Sequence, residues 1–152
     1  TFPRARYVCH QADWDAFKKP EVRGVFPFDF WAETIEPLEK LGVLDLLSGE
    51  KVLTSEITAI QTPGHTPGSM SLAIVSGGQR ALLLGDVFHC PPQVQETNWR
   101  LSFDMEPAVA VQTRKRMVDR AEAENAIVTV CHYTGGFGRI VRLQGRRYWQ
   151  GI

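Results

Sequence analysis

Three apolar runs in this chain each stop at a residue able to ligate a metal. The first, residues 56–60, enters Gln61-Thr62-Pro63-Gly64-His65-Thr66-Pro67-Gly68-Ser69, where His65 sits between two Pro-Gly turns. Proline fixes φ and glycine admits conformations other residues avoid, so the backbone bends on both sides of the imidazole. The second run, Ala81-Leu82-Leu83-Leu84, ends at Gly85-Asp86, with His89 three residues further on. The third, residues 127–131, ends at His132 before the glycine-rich Tyr133-Thr134-Gly135-Gly136. Two imidazoles and a carboxylate gathered at one sheet edge suit zinc, a borderline divalent metal, or non-haem iron.

The elements that must position these residues can be read from periodicity and turn chemistry. Residues 5–9 read as a short strand, after which His10 or Asp13 opens a short helix carrying Trp14 and Phe17. Residues 18–28 read as a loop. Asp29 caps a helix over 30–41, ended by Gly42, and Pro37 within it predicts a kink. Ser48-Gly49-Glu50 is a turn between two short strands in 43–53. Residues 70–75 and 80–84 flank Ser76-Gly77-Gly78-Gln79, a hairpin signal. The continuous Leu82-Leu83-Leu84 predicts a strand covered on both faces. Residues 90–103, with Pro91 and Pro92, read as a loop over the site. A helix over 106–123 buries Val109, Met117 and Val118, and its Arg114, Lys115, Arg116 and Arg120 read as a solvated face. Cys131, alternating with His132 along the last buried strand, is expected to point into the core. Residues 139–143 and 147–149 form a terminal hairpin around Gln144-Gly145. Phe26, Phe28, Phe30 and Trp31 form a dense aromatic segment that serves either core packing or a hydrophobic wall for a substrate.

The bulk composition narrows the partners. The chain has 152 residues, 43% of them hydrophobic, which is enough for one domain or part of one. Its 17 basic and 17 acidic residues cancel, which argues against nucleic acid or an anionic membrane as the main partner. No apolar run approaches the ~20 residues of a membrane helix. Three cysteines without a Cys-x-x-Cys read as free thiols in a reducing compartment, hence a cytoplasmic location.

Thr62-Pro63-Gly64-His65-Thr66-Pro67-Gly68-Ser69, then Leu84-Gly85-Asp86, then His132 resemble the third, fourth and fifth motifs of the metallo-β-lactamase-fold hydrolases, in order and spacing. The branch most similar holds lactonases, arylesterases and phosphotriesterases of the methyl-parathion-hydrolase type. There the Gly-Asp strand is followed by an acidic Phe-Asp turn and an arginine-rich helix, as in Ser102-Phe103-Asp104 and residues 114–120 here. The resemblance implies the αββα sandwich of that fold, to which this chain supplies mainly the C-terminal part. The family's His-x-His-x-Asp-His motif is absent, and residues 1–152 are read as a partial domain lacking the N-terminal part that carries it.

The resemblance also implies a metal-dependent hydrolase, in which a metal-bound hydroxide attacks a lactone, ester or phosphotriester. Its intact site holds two zinc ions, with iron or manganese as alternatives. Asp86 is then the bridging ligand, His65 belongs to one metal and His132 to the other. Tyr133, or equally Thr134, polarises the substrate's oxygen. His89, Phe28 and Trp31 line the pocket for a small hydrophobic ester or lactone. With its ligands divided between two metals, the isolated chain is expected to bind metal weakly or not at all and to turn over little. Two other classes remain. One is an iron-dependent oxidoreductase of the same fold. The other is a non-catalytic module, acting as a homodimer or with a complementing N-terminal segment.

Overall fold

The computed structural model describes residues 2, 4–24, 29–132 and 136–152. Phe26, Phe28, Tyr133 and Thr134, singled out above, lie outside them. The chain divides into two units, Thr1–Gly49 and Glu50–Ile152.

The first unit begins with strand β1 (Tyr7–His10) and helix α1 (Gln11–Phe17). His10 caps α1, its Nδ1 accepting from the amide of Ala12 at 3.1 Å. The expected loop after α1 contains a further helical turn, α2 (Pro20–Arg23). Pro20 occupies the first helical position, where its missing N–H costs nothing, and Glu21 follows in the first turn. Asp29 accepts from Ala32 N at 3.1 Å at the head of the next helical segment. That segment runs as a π-helical stretch, Trp31–Ile35, into α3 (Glu36–Lys40). The break expected at Pro37 takes this form because proline offers no amide and its ring crowds the preceding turn. Strand β2 (Leu44–Leu47) returns parallel to β1, pairing Tyr7 with Leu44 and His10 with Leu47. Trp14 and Trp31 are buried against each other with ring centroids 4.5 Å apart.

The second unit is built on a seven-stranded sheet: β3 (Lys51–Val52), β4 (Ile57–Gln61), β5 (Met70–Ser76), β6 (Gln79–Leu83), β7 (Ile127–Thr129), β8 (Phe137–Leu143) and β9 (Arg146–Gly151), in that order. All neighbours are antiparallel except β6 and β7, which are parallel and joined through helix α4 (Pro107–Ala123). Cross-strand pairing puts Ala73, Leu82 and Val128 in register on one face. That face, with Ile60, Leu84, Val130 and Ile140, forms one core with Met117, Val118 and Ala121 of α4. The opposite face, carrying Leu72, Ile74 and Leu83, is only half-buried, so the expected two-sided cover of 82–84 fails: only the face of Leu82 and Leu84 is fully buried.

Two further expectations fail in this unit. Arg114, read as solvated, is 1% exposed. Cys131, read as core, is exposed. The last core strand stops at Thr129, so inward–outward alternation no longer governs residue 131. Its amide instead donates to Gly85 O at 3.2 Å. Cys9, Cys90 and Cys131 are not joined in disulfides, as expected. No helix among the described residues is long and apolar enough to cross a membrane.

Candidate metal centre

His65 is held by the turn between β4 and β5. Thr62 N donates to Ser69 O at 2.9 Å, closing the turn, and Gly64 N donates to Thr66 O at 2.9 Å. Gly64 is the residue that lets this turn lie on α4. Its φ is +132°, and a Cβ there would stand 2.3 Å from the backbone N and Cα of Ala110. The start of the helix then fastens the turn from the other side. Met105 N donates to His65 O at 3.0 Å, Glu106 N to Gly64 O at 2.9 Å, and the Thr113 hydroxyl to Pro63 O at 2.7 Å.

Asp86 and His89 come from the segment after β6. A single 3₁₀ turn, Gly85–Val87, lifts Asp86 out of the strand line. The amides of His89 and Cys90 both donate to Oε1 of buried Gln93, at 2.6 and 3.2 Å, which folds the segment back on itself. His132 follows β7, parallel to β6, and so reaches the same edge.

The four side chains meet there. His132 Nε2 lies 2.8 Å from Asp86 Oδ1, and His89 Nε2 lies 3.5 Å from the same oxygen. The His89 ring sits between the other two, 5.1 Å from His65 and stacked 4.9 Å from His132 by ring centroids. One ligand atom from each of His65, Asp86 and His89 lies within 4.8 Å of the others. His89 Nδ1 is buried with no hydrogen-bond partner among the described residues. Burial pushes the His89 imidazole below the ordinary histidine range. Asp86 opposes that shift, and the nearby His65 and His132 reinforce it. The neutral ring is the form that binds a metal. An orphaned buried nitrogen beside a carboxylate and two further imidazoles fits a borderline divalent cation.

Behind this group stands a layer that the sequence pattern did not reveal. His65 Nδ1 lies 3.2 Å from Oδ1 of Asp104, whose side chain is fully buried. Asp104 Oδ2 faces the Arg114 guanidinium at 3.9 Å. Arg114 also donates to the carbonyls of Val87 at 2.9 Å, Thr97 at 3.1 Å and Trp99 at 2.5 Å. The usable signal was helical spacing, not composition. Arg114 falls in line with Ala110, Met117, Val118 and Ala121, the buried stripe of α4.

Of the residues expected to form the site, His65, Asp86, His132 and His89 converge. Tyr133 and Phe28 lie outside the described residues. Trp31 belongs to the first unit, where with Cys9, Asp13, Phe17, Phe30 and Ile35 it lines a cavity of about 180 Å³.

A parallel-containing sheet backed by a helix, with histidines and an aspartate at the strand ends, defines the class. The chain belongs to the metallo-beta-lactamase superfamily, whose family model matches residues 3–132. Solved structures share the fold. The hydrolase AbOPH of the beta lactamase superfamily superposes with a TM-score of 0.80 at 20% identity, over 99% of this chain and 56% of its own. AidC, a dizinc quorum-quenching lactonase, gives 0.77 at 20% identity with the same coverage. A probable metal-dependent hydrolase from Staphylococcus aureus gives 0.74 at 19% identity, over 91% of this chain and 48% of its own. The chain thus spans about half the length of the structures it matches. No curated protein matches it by sequence.

Proposed function

We propose that this chain carries the metal-binding edge of a hydrolase acting on small hydrophobic esters, lactones or phosphotriesters. The observation that carries this reading is the convergence of His65, Asp86, His89 and His132 from three separate loops, with Asp104 behind His65. Structural or surface histidines have no reason to gather around one carboxylate.

His65, Asp86 and His132 are assigned as ligands, with His89 completing the set from the centre. These side chains would hold a divalent cation, which when bound would supply Lewis-acid polarisation and lower the pKa of a coordinated water toward about 7. The protein's own side chains do the rest. Asp86 and His132 have side chains 37% and 53% exposed, so this side of the group faces entering substrate. His65, backed by Asp104, and the half-buried His89 form its fixed inner wall. Tyr133, the residue after His132, is assigned to the substrate's oxygen. Likeness to AidC, whose structure contains an acyl-homoserine product, makes acyl lactones the first substrates to try.

The test is metal titration by calorimetry with Zn²⁺, Mn²⁺ and Fe²⁺, followed by hydrolysis assays. The assays use an acyl-homoserine lactone, a phenyl ester and a phosphotriester. The expected result is weak zinc or manganese binding and little turnover by this chain alone, and, for a version extended at its N-terminus with the His-x-His-x-Asp-His part, stoichiometric metal with hydrolysis lost in Asp86→Ala. Preference for iron with oxygen consumption would redirect the reading to an oxidoreductase of this fold. Absence of bound metal from both forms would refute it.

A further inference from the structure

We infer that Asp104 and Arg114 are a positioning pair for the metal ligands: Asp104 fixes the tautomer of His65, and Arg114 ties Asp104 to the turn that carries Asp86 and His89. The inference rests on the reading above for its purpose and on geometry for its substance.

Among the described residues, Asp104 and Arg114 are the two charged side chains with essentially no solvent exposure in the second unit, at 0% and 1%. Burying two charges is costly, and one ion pair at 3.9 Å does not explain where the remaining hydrogen-bonding capacity goes. The hydrogen bonds of the pair answer that question. Asp104 spends Oδ1 on His65 Nδ1 and accepts from Leu101 N through Oδ2 at 3.4 Å. Arg114 spends Nε on the carbonyl of Val87, the residue next to Asp86 and two before His89. Its Nη1 binds Thr97 and Trp99, further along the same segment. A single buried guanidinium therefore holds the 86–99 segment against α4, while its carboxylate partner reaches across to the β4–β5 turn.

A carboxylate accepts hydrogen bonds and cannot donate them, so the ring nitrogen facing it must carry the proton. His65 is then protonated at Nδ1, and its lone pair lies on Nε2, on the opposite side of the ring. A ligating histidine held in this way by a second group is oriented before the metal arrives. Had Asp104 served only to neutralise Arg114, nothing would require one of its oxygens to face His65.

The test uses the metal-free protein and does not depend on turnover. Long-range proton–nitrogen NMR distinguishes protonated from bare ring nitrogens. It is run at about pH 8.5, where a histidine of ordinary pKa ~6.5 is neutral. In the wild-type protein His65 is expected as the Nδ1–H tautomer. Asp104→Asn, which keeps an accepting oxygen, should retain that tautomer, and Asp104→Ala should lose it. Zinc affinity should fall about 10–100-fold in Asp104→Ala and less in Asp104→Asn. Arg114→Lys keeps the charge but not the fork. It should leave the tautomer in place and weaken zinc about 10-fold by loosening the 86–89 turn. Finding His65 as Nε2–H in the wild type overturns the proposal even if Asp104→Ala fails to fold. An unchanged tautomer in folded Asp104→Ala overturns it as well. Wild-type protein that shows the Nδ1–H tautomer but binds no zinc, alone or extended at its N-terminus, would count against the metal-site reading alone, leaving the tautomer assignment intact.

Discussion

Gly64→Ala is the sharpest perturbation of how the site is held. Two costs add at this position. The first is backbone strain, because φ is +132° and an L-residue there costs about 1–2 kcal/mol. The second is collision, because the new Cβ would lie 2.3 Å from the N and Cα of Ala110 and 2.8 Å from its Cβ. Ordinary carbon contact begins near 3.5 Å, so helix and turn must separate by about 1 Å. The atoms met are backbone of Ala110, the first buried residue of α4, not the tip of a flexible side chain, so the strain cannot be relieved locally. Forcing extra volume into such a contact costs about 1–3 kcal/mol. The total is about 2–5 kcal/mol. Gly145→Ala provides the control, with φ of +79° and no atom within 4 Å of its Cβ, so it carries the strain cost alone. Urea denaturation of the two variants beside wild type isolates the collision as their difference. Because the separated elements are those that carry His65 and Asp104, zinc affinity should fall with Gly64→Ala and stay unchanged with Gly145→Ala. Equal destabilisation by the two variants would refute the close packing of the turn on α4.

Other perturbations probe different parts of the chain. Arg114→Met leaves the Asp104 carboxylate buried without its cation and should cost about 3–5 kcal/mol in the same denaturation assay. Glu122 is held at about 2, against an ordinary 4.5, first by its hydrogen bond from Arg142 and then by Arg147. Its contribution is therefore fully present above pH 4.5 and is lost as pH falls toward 2. The shift corresponds to about 3 kcal/mol by linkage, which solvent screening of this exposed cluster reduces to about 1 kcal/mol. Acid titration of stability should lose that component in Glu122→Gln. His10→Ala removes the Nδ1 acceptor that caps α1 and should cost about 1 kcal/mol, read from thermal melts.

The parts of the site legible in the sequence share one property, which is that their signal is local. Strand 80–84 ending in Gly85-Asp86, and the Pro-Gly turns around His65, announce themselves through apolar runs and turn residues a few positions away. The structure puts β4, β5, β6 and β7 within a residue or two of those runs. The Phe-Asp turn at 102–104 stood out by resemblance, but its contact with His65 spans 39 positions and no local pattern encodes it. Reading Arg114 as solvated followed from its neighbours Lys115 and Arg116, which are exposed. Counting helical turns from Met117 and Ala121 would have placed it inward.

By itself the sequence determined which residues end the strands, where the chain turns and which side chains carry metal-binding chemistry. These depend on hydrophobic period and on the dihedral limits of proline and glycine, both of which act over a few residues. Tertiary structure alone decided that His89 stands between His65 and His132, that Cys131 is exposed, and that Arg114 and Asp104 are buried as a pair behind His65. A charged side chain turns inward only where distant backbone carbonyls and a partner charge offset its lost hydration. Arg114 has three such carbonyls, all at least 15 residues away in sequence.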